Sequence, residues 1–263
     1  MISVGLFGFG KTGKIIAQEL INENTIELKW VVRKSLTESG EFAGQLLGLH
    51  KNEGEIFSLD HMPSVEDFLV NNPVDIVIDF SNHETIRKYY HAIKSTNSKL
   101  ISAISNYPAE ELQLINELAK DRAVLYSPNI TLGINFLIVI SQVLQKIVPW
   151  ADIEIIEEHF RNKPDISGTA VRIADILGLD RNNHINSVRI GGIVGKHEVL
   201  FGLPNQTIRL THETNNRAAF GQGIIFGAKY LHQKGAGRYS MDQIIKEKFV
   251  TSINDELAEL TTQ

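Results

Sequence analysis

Six residues constrain this chain more than any others: Gly8-Phe9-Gly10-Lys11-Thr12-Gly13. They follow at once on Ser3 to Phe7, an apolar run with strand character. They precede Ile16, Ala17, Leu20 and Ile21, which recur on one face of a helix. Glycines at the first, third and sixth places of a strand-to-helix turn permit a sharp bend and the close approach of a pyrophosphate to a helix N-terminus. Gly8, Gly10, Lys11, Thr12 and Gly13 are therefore candidate cofactor contacts. A tight turn without a ligand is the other reading of the same residues. The second strand, Ile26 to Val32, runs into Arg33-Lys34. A fold that selects NAD usually has an acid at this point for the ribose 2′-hydroxyl. No acid stands here, and two cations suit a 2′-phosphate, so NADPH is the expected cofactor with NADH possible. Arg33 and Lys34 could equally be a solvated strand end.

The alternation continues. A short helix is expected around Val65 to Asn71, then a buried strand from Val74 to Phe80 and a helix from Glu84 to Lys94. A strand from Lys99 to Ile104, a helix from Ala109 to Lys120 and a strand from Ala123 to Ser127 follow. Alternating strands and helices imply a parallel sheet. A long apolar helix then runs to about Val148, and the domain crossover is placed at its start. Beyond it come a strand at Asp152 to Ile156, a charged segment, a helix, and strands near Ser187 to Val194, Glu198 to Phe201 and Gln206 to Thr211. The expected fold is α/β: a Rossmann-type parallel-sheet nucleotide domain and a second α+β domain with an open mixed sheet. Residues 1–129, rejoined by the tail 235–263, form the first; residues 130–234 form the second.

The charged segment, Glu157 to Ala170, reads as a loop between strand and helix. Ala170, Ile173, Ala174 and Leu177 mark the helix. Ser167 is placed as its N-cap, with its hydroxyl accepting from the first turn. That helix end would attract an anion such as a carboxylate, and Lys163 could add a point charge to it. A histidine such as His159 can exchange a proton near neutral pH. A solvated loop with a capped helix accounts for the same residues. Glu157 and Glu158 either orient His159 or form a solvated pair. His197 and His212 read as structural, and Arg217 as a substrate or subunit contact.

Composition narrows the partners. The net charge of −5 offers no basic field for nucleic acid, and the absence of cysteine excludes disulfides and thiolate chemistry. The nine histidines are scattered, so no metal is expected. The longest apolar run, Ile134 to Leu144, is too short to span a bilayer. Met1 runs directly into a strand, which argues for a cytoplasmic protein.

The segment Glu157, His159, Lys163, Asp165, Ser167, Gly168, Thr169, Ala170 resembles the signature of the dihydrodipicolinate reductase family, also called 4-hydroxy-tetrahydrodipicolinate reductase. The similarity spans nearly the whole chain. It includes Asp79-Phe80-Ser81, Ser127-Pro128-Asn129 through Gly133-Ile134-Asn135, the runs Arg189 to Gly192 and Gly195 to Glu198, and Asn216 to Gly223. The resemblance implies that His159 donates a proton, that Lys163 assists it, and that Ser167, Gly168 and Thr169 hold a substrate carboxylate. It implies cofactor contacts at Phe80, Ser102, Ile104, Ser127 and Asn129, a small-molecule substrate and a homotetramer built on the second sheet. Lys11 takes the place where the family often has an arginine that reaches the 2′-phosphate. Two departures stand out. Phe160 replaces the family's second histidine, and Ser102-Ala103-Ile104-Ser105 replaces a Gly-Thr-Thr-Gly loop. A paralogous reductase of another cyclic or conjugated imine, or a silent NADPH-binding protein, stays open on these grounds.

Overall fold

The computed structural model describes residues 1–35 and 41–261. They divide into two compact units, residues 1–131 with 217–244, and residues 132–216 with those from Ile245 onward.

In the first unit β1 (Ile2–Phe7) leads into α1 (Lys11–Asn22) and β2 (Ile26–Arg33). The short α2 (Ala43–Leu46), β3 (Glu55–Ser58), α3 (Val65–Asn71) and β4 (Ile76–Asp79) come next. Then follow α4 (Thr85–Ser95), β5 (Lys99–Ser102), α5 (Ala109–Leu118) and β6 (Ala123–Tyr126). These strands lie parallel in the order β6-β5-β4-β1-β2-β3. That is the doubly wound arrangement expected of a nucleotide fold. The sheet forms because its strands are apolar on both sides: Val4, Leu6, Ile76, Val77, Ile78, Leu100 and Ile101 are all fully buried. Each such side chain contributes roughly 1.5–3 kcal/mol by leaving water. The strand β3 and helix α2 lie within the stretch that the sequence pattern left unassigned.

The second unit begins with α6 (Leu132–Ile147) and β7 (Asp152–His159). It continues through α7 (Gly168–Leu177), β8 (Ile185–Arg189), β9 (Lys196–Leu203) and β10 (Gln206–Glu213). The four strands pair as β10-β9-β7-β8, with only β7 and β8 parallel. Ile153, Ile155, Val199 and Phe201 pack on Ile134, Leu137 and Ile138 of α6 and on Ala170, Ile173, Ala174 and Leu177 of α7. The helix ends at Gly178, which takes φ +68° and returns its N–H to the carbonyls of Ala174 and Asp175.

The observed division differs from the expected one. The helix α8 (Ala218–His232) belongs to the first unit, because its glycines let it sit against that unit's backbone: a Cβ on Gly223 would lie 2.0 Å from the Ile130 carbonyl oxygen. Next, β11 (Gly237–Tyr239) adds a parallel strand beside β6. The last helix, α9 (Met241–Thr261), has Met241–Ile244 in the first unit and the remainder grouped with the second, where the tail was expected to stay with the first. The strand β8 also stops at Arg189, so residues 190–194 are connection rather than strand.

Candidate active site

The cofactor candidates gather at the carboxyl ends of the parallel strands, where ligands of such sheets bind. Gly8 leaves β1 with φ +103°, and a Cβ there would lie 2.6 Å from the Phe80 carbonyl oxygen. A Cβ on Gly13 would lie 2.0 Å from the carbonyl oxygen of Gly8. Those two glycines answer to the protein's own packing. Gly10 does not: a Cβ there would meet nothing within 4 Å, although Gly10 is the N-cap of α1. The space lies in front of helix N–H groups that no side chain caps, and a pyrophosphate fits that ground. Lys11 is exposed and Thr12 half-buried in the first turn.

Arg33 and Lys34 line a cavity of about 140 Å³ together with Gly8, Ser81, Thr85 and Lys88. Lys88 is a third cation that no sequence pattern singled out. The cavity also contains an acid, which the sequence reading did not place there. Asp60 lines it, with its N–H bonded to the Lys34 carbonyl at 3.1 Å. Phe80 is half-buried and meets Gly8 through its peptide group. Ser102 is fully buried with its hydroxyl on Tyr107 Oη at 2.9 Å, so its side chain is committed to the strand end. Ile104 is half-buried just beyond β5. Ser127 donates to the Asn129 carbonyl at 2.7 Å, and Asn129 Oδ1 accepts from the Thr131 amide and hydroxyl, closing the turn after β6.

Beneath Ser81 lies Asp79, fully buried. It accepts from the Ser81 amide at 2.9 Å, the Ser81 hydroxyl at 2.5 Å and the Tyr89 hydroxyl at 2.5 Å. Burial outweighs these bonds and pushes its pKa up to about 6.

The second cluster lies wholly in the second unit. Where a loop was expected after Ile156, β7 continues through His159. Its buried positions alternate as Ile153, Ile155, Glu157, His159, so the period of a strand carries the apolar face straight into the charged residues. Glu157 is fully buried, and this settles the alternatives left for it. Its Oε2 lies 2.5 Å from His159 Nδ1 and accepts from Arg189 Nη1 at 2.9 Å. Its Oε1 accepts from Arg189 Nη2 at 2.5 Å, the Ser187 hydroxyl at 2.6 Å and the Ser167 amide at 3.3 Å. Register explains the assembly: β7 and β8 pair Glu157 with Ser187 and His159 with Arg189, while β9 sets His197 opposite Glu157. Burial alone would raise the Glu157 pKa, but Arg189 above all, then Ser187 and His159, hold it at about 2. Glu158 faces away and pairs with Lys196 at 2.7 Å.

An ionised Glu157 can only accept, so His159 Nδ1 carries a proton. Nε2 is then the working nitrogen. It has no hydrogen-bond partner among the described residues and stands 3.1 Å from where a Cβ on Gly195 would lie. Arg189 also donates to the carbonyls of Lys163 and Asp165, which straps the loop after β7 to the same carboxylate. The half-buried Lys163 side chain forms no ion pair with a described residue. Gly168 and Thr169 open α7 as expected. Ser167 occupies the N-cap position but does not cap. Its buried hydroxyl pairs instead with His197 Nε2 at 2.8 Å, correcting the expected capping bond. Phe160 is 44% exposed beside these residues.

The family description "dihydrodipicolinate reductase, N-terminus" matches residues 2–130, and "dihydrodipicolinate reductase, C-terminus" matches residues 130–245. The chain belongs to the dihydrodipicolinate reductase family. A 4-hydroxy-tetrahydrodipicolinate reductase of Caldanaerobacter subterraneus subsp. tengcongensis is 33% identical over 82% of this chain and 93% of its own. One of Buchnera aphidicola subsp. Schizaphis graminum is 29% identical over 91% and 95%. The fold matches the structure titled dipicolinate bound dihydrodipicolinate reductase from Paenisporosarcina sp. TG-14, with a TM-score of 0.76, 22% identity, and coverage of 93% of this chain and 99% of that one. Membership makes the chain a nicotinamide-dependent oxidoreductase.

The sequence pattern singled out His159 and the start of α7, which the structure brings into one cluster, but did not point to Arg189 and Ser187 as partners of the Glu157 carboxylate. The usable signal was the unbroken alternation of β7: a glutamate on a buried face needs a cation, and Arg189 ends the neighbouring parallel strand.

Proposed function

We propose that this chain reduces 4-hydroxy-tetrahydrodipicolinate to tetrahydrodipicolinate, with loss of water, in diaminopimelate and lysine biosynthesis. The observation that carries the reading is the buried Glu157–His159 pair, whose free Nε2 stands in the same cluster as the uncapped start of α7. A bound nicotinamide supplies the hydride. His159 Nε2 supplies the proton, and Glu157 fixes the ring so that Nε2 faces the substrate. Arg189 balances the Glu157 charge, so the carboxylate orients the imidazole without standing as an unpaired buried ion. Ser167, Gly168 and Thr169 receive a carboxylate at the helix end, and Lys163 adds charge to it. Arg33, Lys34, Lys88 and Lys11 favour NADPH over NADH. The family resemblance adds a homotetramer, which light scattering of the purified protein reads. No described helix is long and apolar enough to cross a membrane.

Exposed Phe160 and Ile166, on the loop after His159, favour a second reading in which the substrate is a less polar imine. NADPH oxidation with enzymatically generated 4-hydroxy-tetrahydrodipicolinate separates the two. Turnover with that substrate is expected, and Phe160→His is expected to lower its KM. A protein that binds NADPH yet leaves this substrate unreduced overturns the first reading and favours the second.

A further inference from the structure

We propose that His197 is a positioning residue for substrate. Its Nε2–H donates to Ser167 Oγ and thereby turns the serine hydroxyl proton toward a carboxylate at the start of α7. This deepens the reading above and rests on its placement of a substrate carboxylate there.

The geometry begins with a serine that does not do what its position suggests. Ser167 is the N-cap of a ten-residue helix, yet makes no capping bond, so its hydroxyl does not occupy the first-turn N–H groups. That hydroxyl is held by His197 at 2.8 Å, and the pair is buried, with Ser167 3% and His197 6% exposed. His197 is fixed by the sheet: it lies on β9 opposite Glu157, and its ring meets that of His159 edge to face at 5.3 Å.

A neutral imidazole can bond a hydroxyl in two senses. If Nε2 accepts, the serine proton is committed to His197 and Ser167 presents lone pairs to the arriving carboxylate. A carboxylate has no proton to offer, so that arrangement is repulsive. If Nε2 donates, Ser167 oxygen accepts from the ring and its own proton is free for the anion. Only this second sense is compatible with a bound carboxylate. The ring must also stay neutral, because a cation beside His159 would oppose protonation of the proton donor. Burial first, and the neighbouring His159 second, hold the His197 pKa down to about 3. His197 thus supplies a directed donor without a second positive charge.

The test uses pyridine-2,6-dicarboxylate as an inert probe, titrated calorimetrically into the NADPH-loaded protein. Ser167→Ala and His197→Phe should each weaken probe binding about tenfold, the scale of one hydrogen bond to a charged group. The double variant should be no worse than either single one. His197→Gln, whose amide can still donate, should bind within about threefold of wild type. In turnover, the His197→Phe defect should appear in KM, with kcat little changed. Unchanged probe binding in His197→Phe, losses that add in the double variant, or a Gln variant no better than Phe would each overturn the proposal. The tautomer is read independently by ¹⁵N NMR of wild-type protein without substrate: an Nε2–H signal for His197 is expected, and Nδ1–H overturns the proposal. If wild type shows Nε2–H but ignores the probe, the orientation stands and the substrate assignment is the part that fails.

Discussion

Glu157 is where the stability of the second unit and the chemistry proposed for it meet. The cost of burying its charge is offset by Arg189, Ser187 and the Ser167 amide, which meet its oxygens. Glu157→Gln keeps the shape and removes the charge, leaving Arg189 against a neutral amide. Breaking a buried pair costs roughly 3–5 kcal/mol, which chemical denaturation would read. If His159 is the proposed proton donor, loss of the carboxylate that orients its ring should also lower kcat by about 10² or more. A variant with wild-type kcat would remove Glu157 from the mechanism. His159→Ala should lower kcat by about 10²–10⁴ with little change in KM, since a proton donor acts in the transition state. Lys163→Ala should damage both constants, because its charge acts on bound substrate as well. Parallel losses in KM for the two variants would instead make His159 a binding group.

At the scale of elements, the Gly-rich turn separates what the fold needs from what the ligand needs. Gly13→Ala places a methyl 2.0 Å from the Gly8 carbonyl oxygen, so α1 cannot close on β1. This should destabilise the protein by about 2 kcal/mol or more, in the range of overpacked sites. Gly10→Ala meets nothing in the protein. It should leave thermal stability nearly unchanged and weaken NADPH binding about tenfold or more. Equal effects of the two on stability would show that Gly10 is structural too. The same turn explains what was legible in the sequence. Local signals were strong where one short motif carries its own reason, as in the turn from Gly8 to Gly13 and in the apolar face of α7 at Ala170, Ile173, Ala174 and Leu177. They failed where the reason lies on another strand. Glu157 and His159 read as loop because their compensating residues, Ser187 and Arg189, sit far along the chain and become neighbours only through β7–β8 register. Ser167 read as a capping residue because nothing local reveals His197. The helix α8 was assigned to the wrong unit because its partners, around Ile130 and Glu19, are equally remote.

Across the molecule, the two units carry buried ionisable groups whose responses to acid have opposite signs. Asp79, in the first unit, has its pKa raised from 3.8 to about 6. Its native state therefore holds a proton that the unfolded chain releases, and this contribution strengthens as pH falls from about 6 to 3.8. In the second unit, His197 is depressed from 6.5 to about 3. Its unfolded form takes up a proton that the native form refuses, so stability is lost as pH falls from 6.5 toward 3. Glu157, depressed from 4.5 to about 2, adds a further loss below 4.5. Each pKa unit corresponds to roughly 1.4 kcal/mol before structural relaxation reduces it. Acid should therefore open the second unit first. Hydrogen exchange followed by mass spectrometry from pH 7 down to pH 4, corrected for intrinsic rates, should show protection lost in β7, β9 and α7 while β4 and α4 keep theirs. Asp79→Asn should remove the acid-side gain of the first unit, and His197→Gln should flatten the loss in the second above pH 4.5. If β4 and α4 open first, or if His197→Gln leaves the second unit's pH dependence intact, the buried histidine is not what makes that unit acid-sensitive.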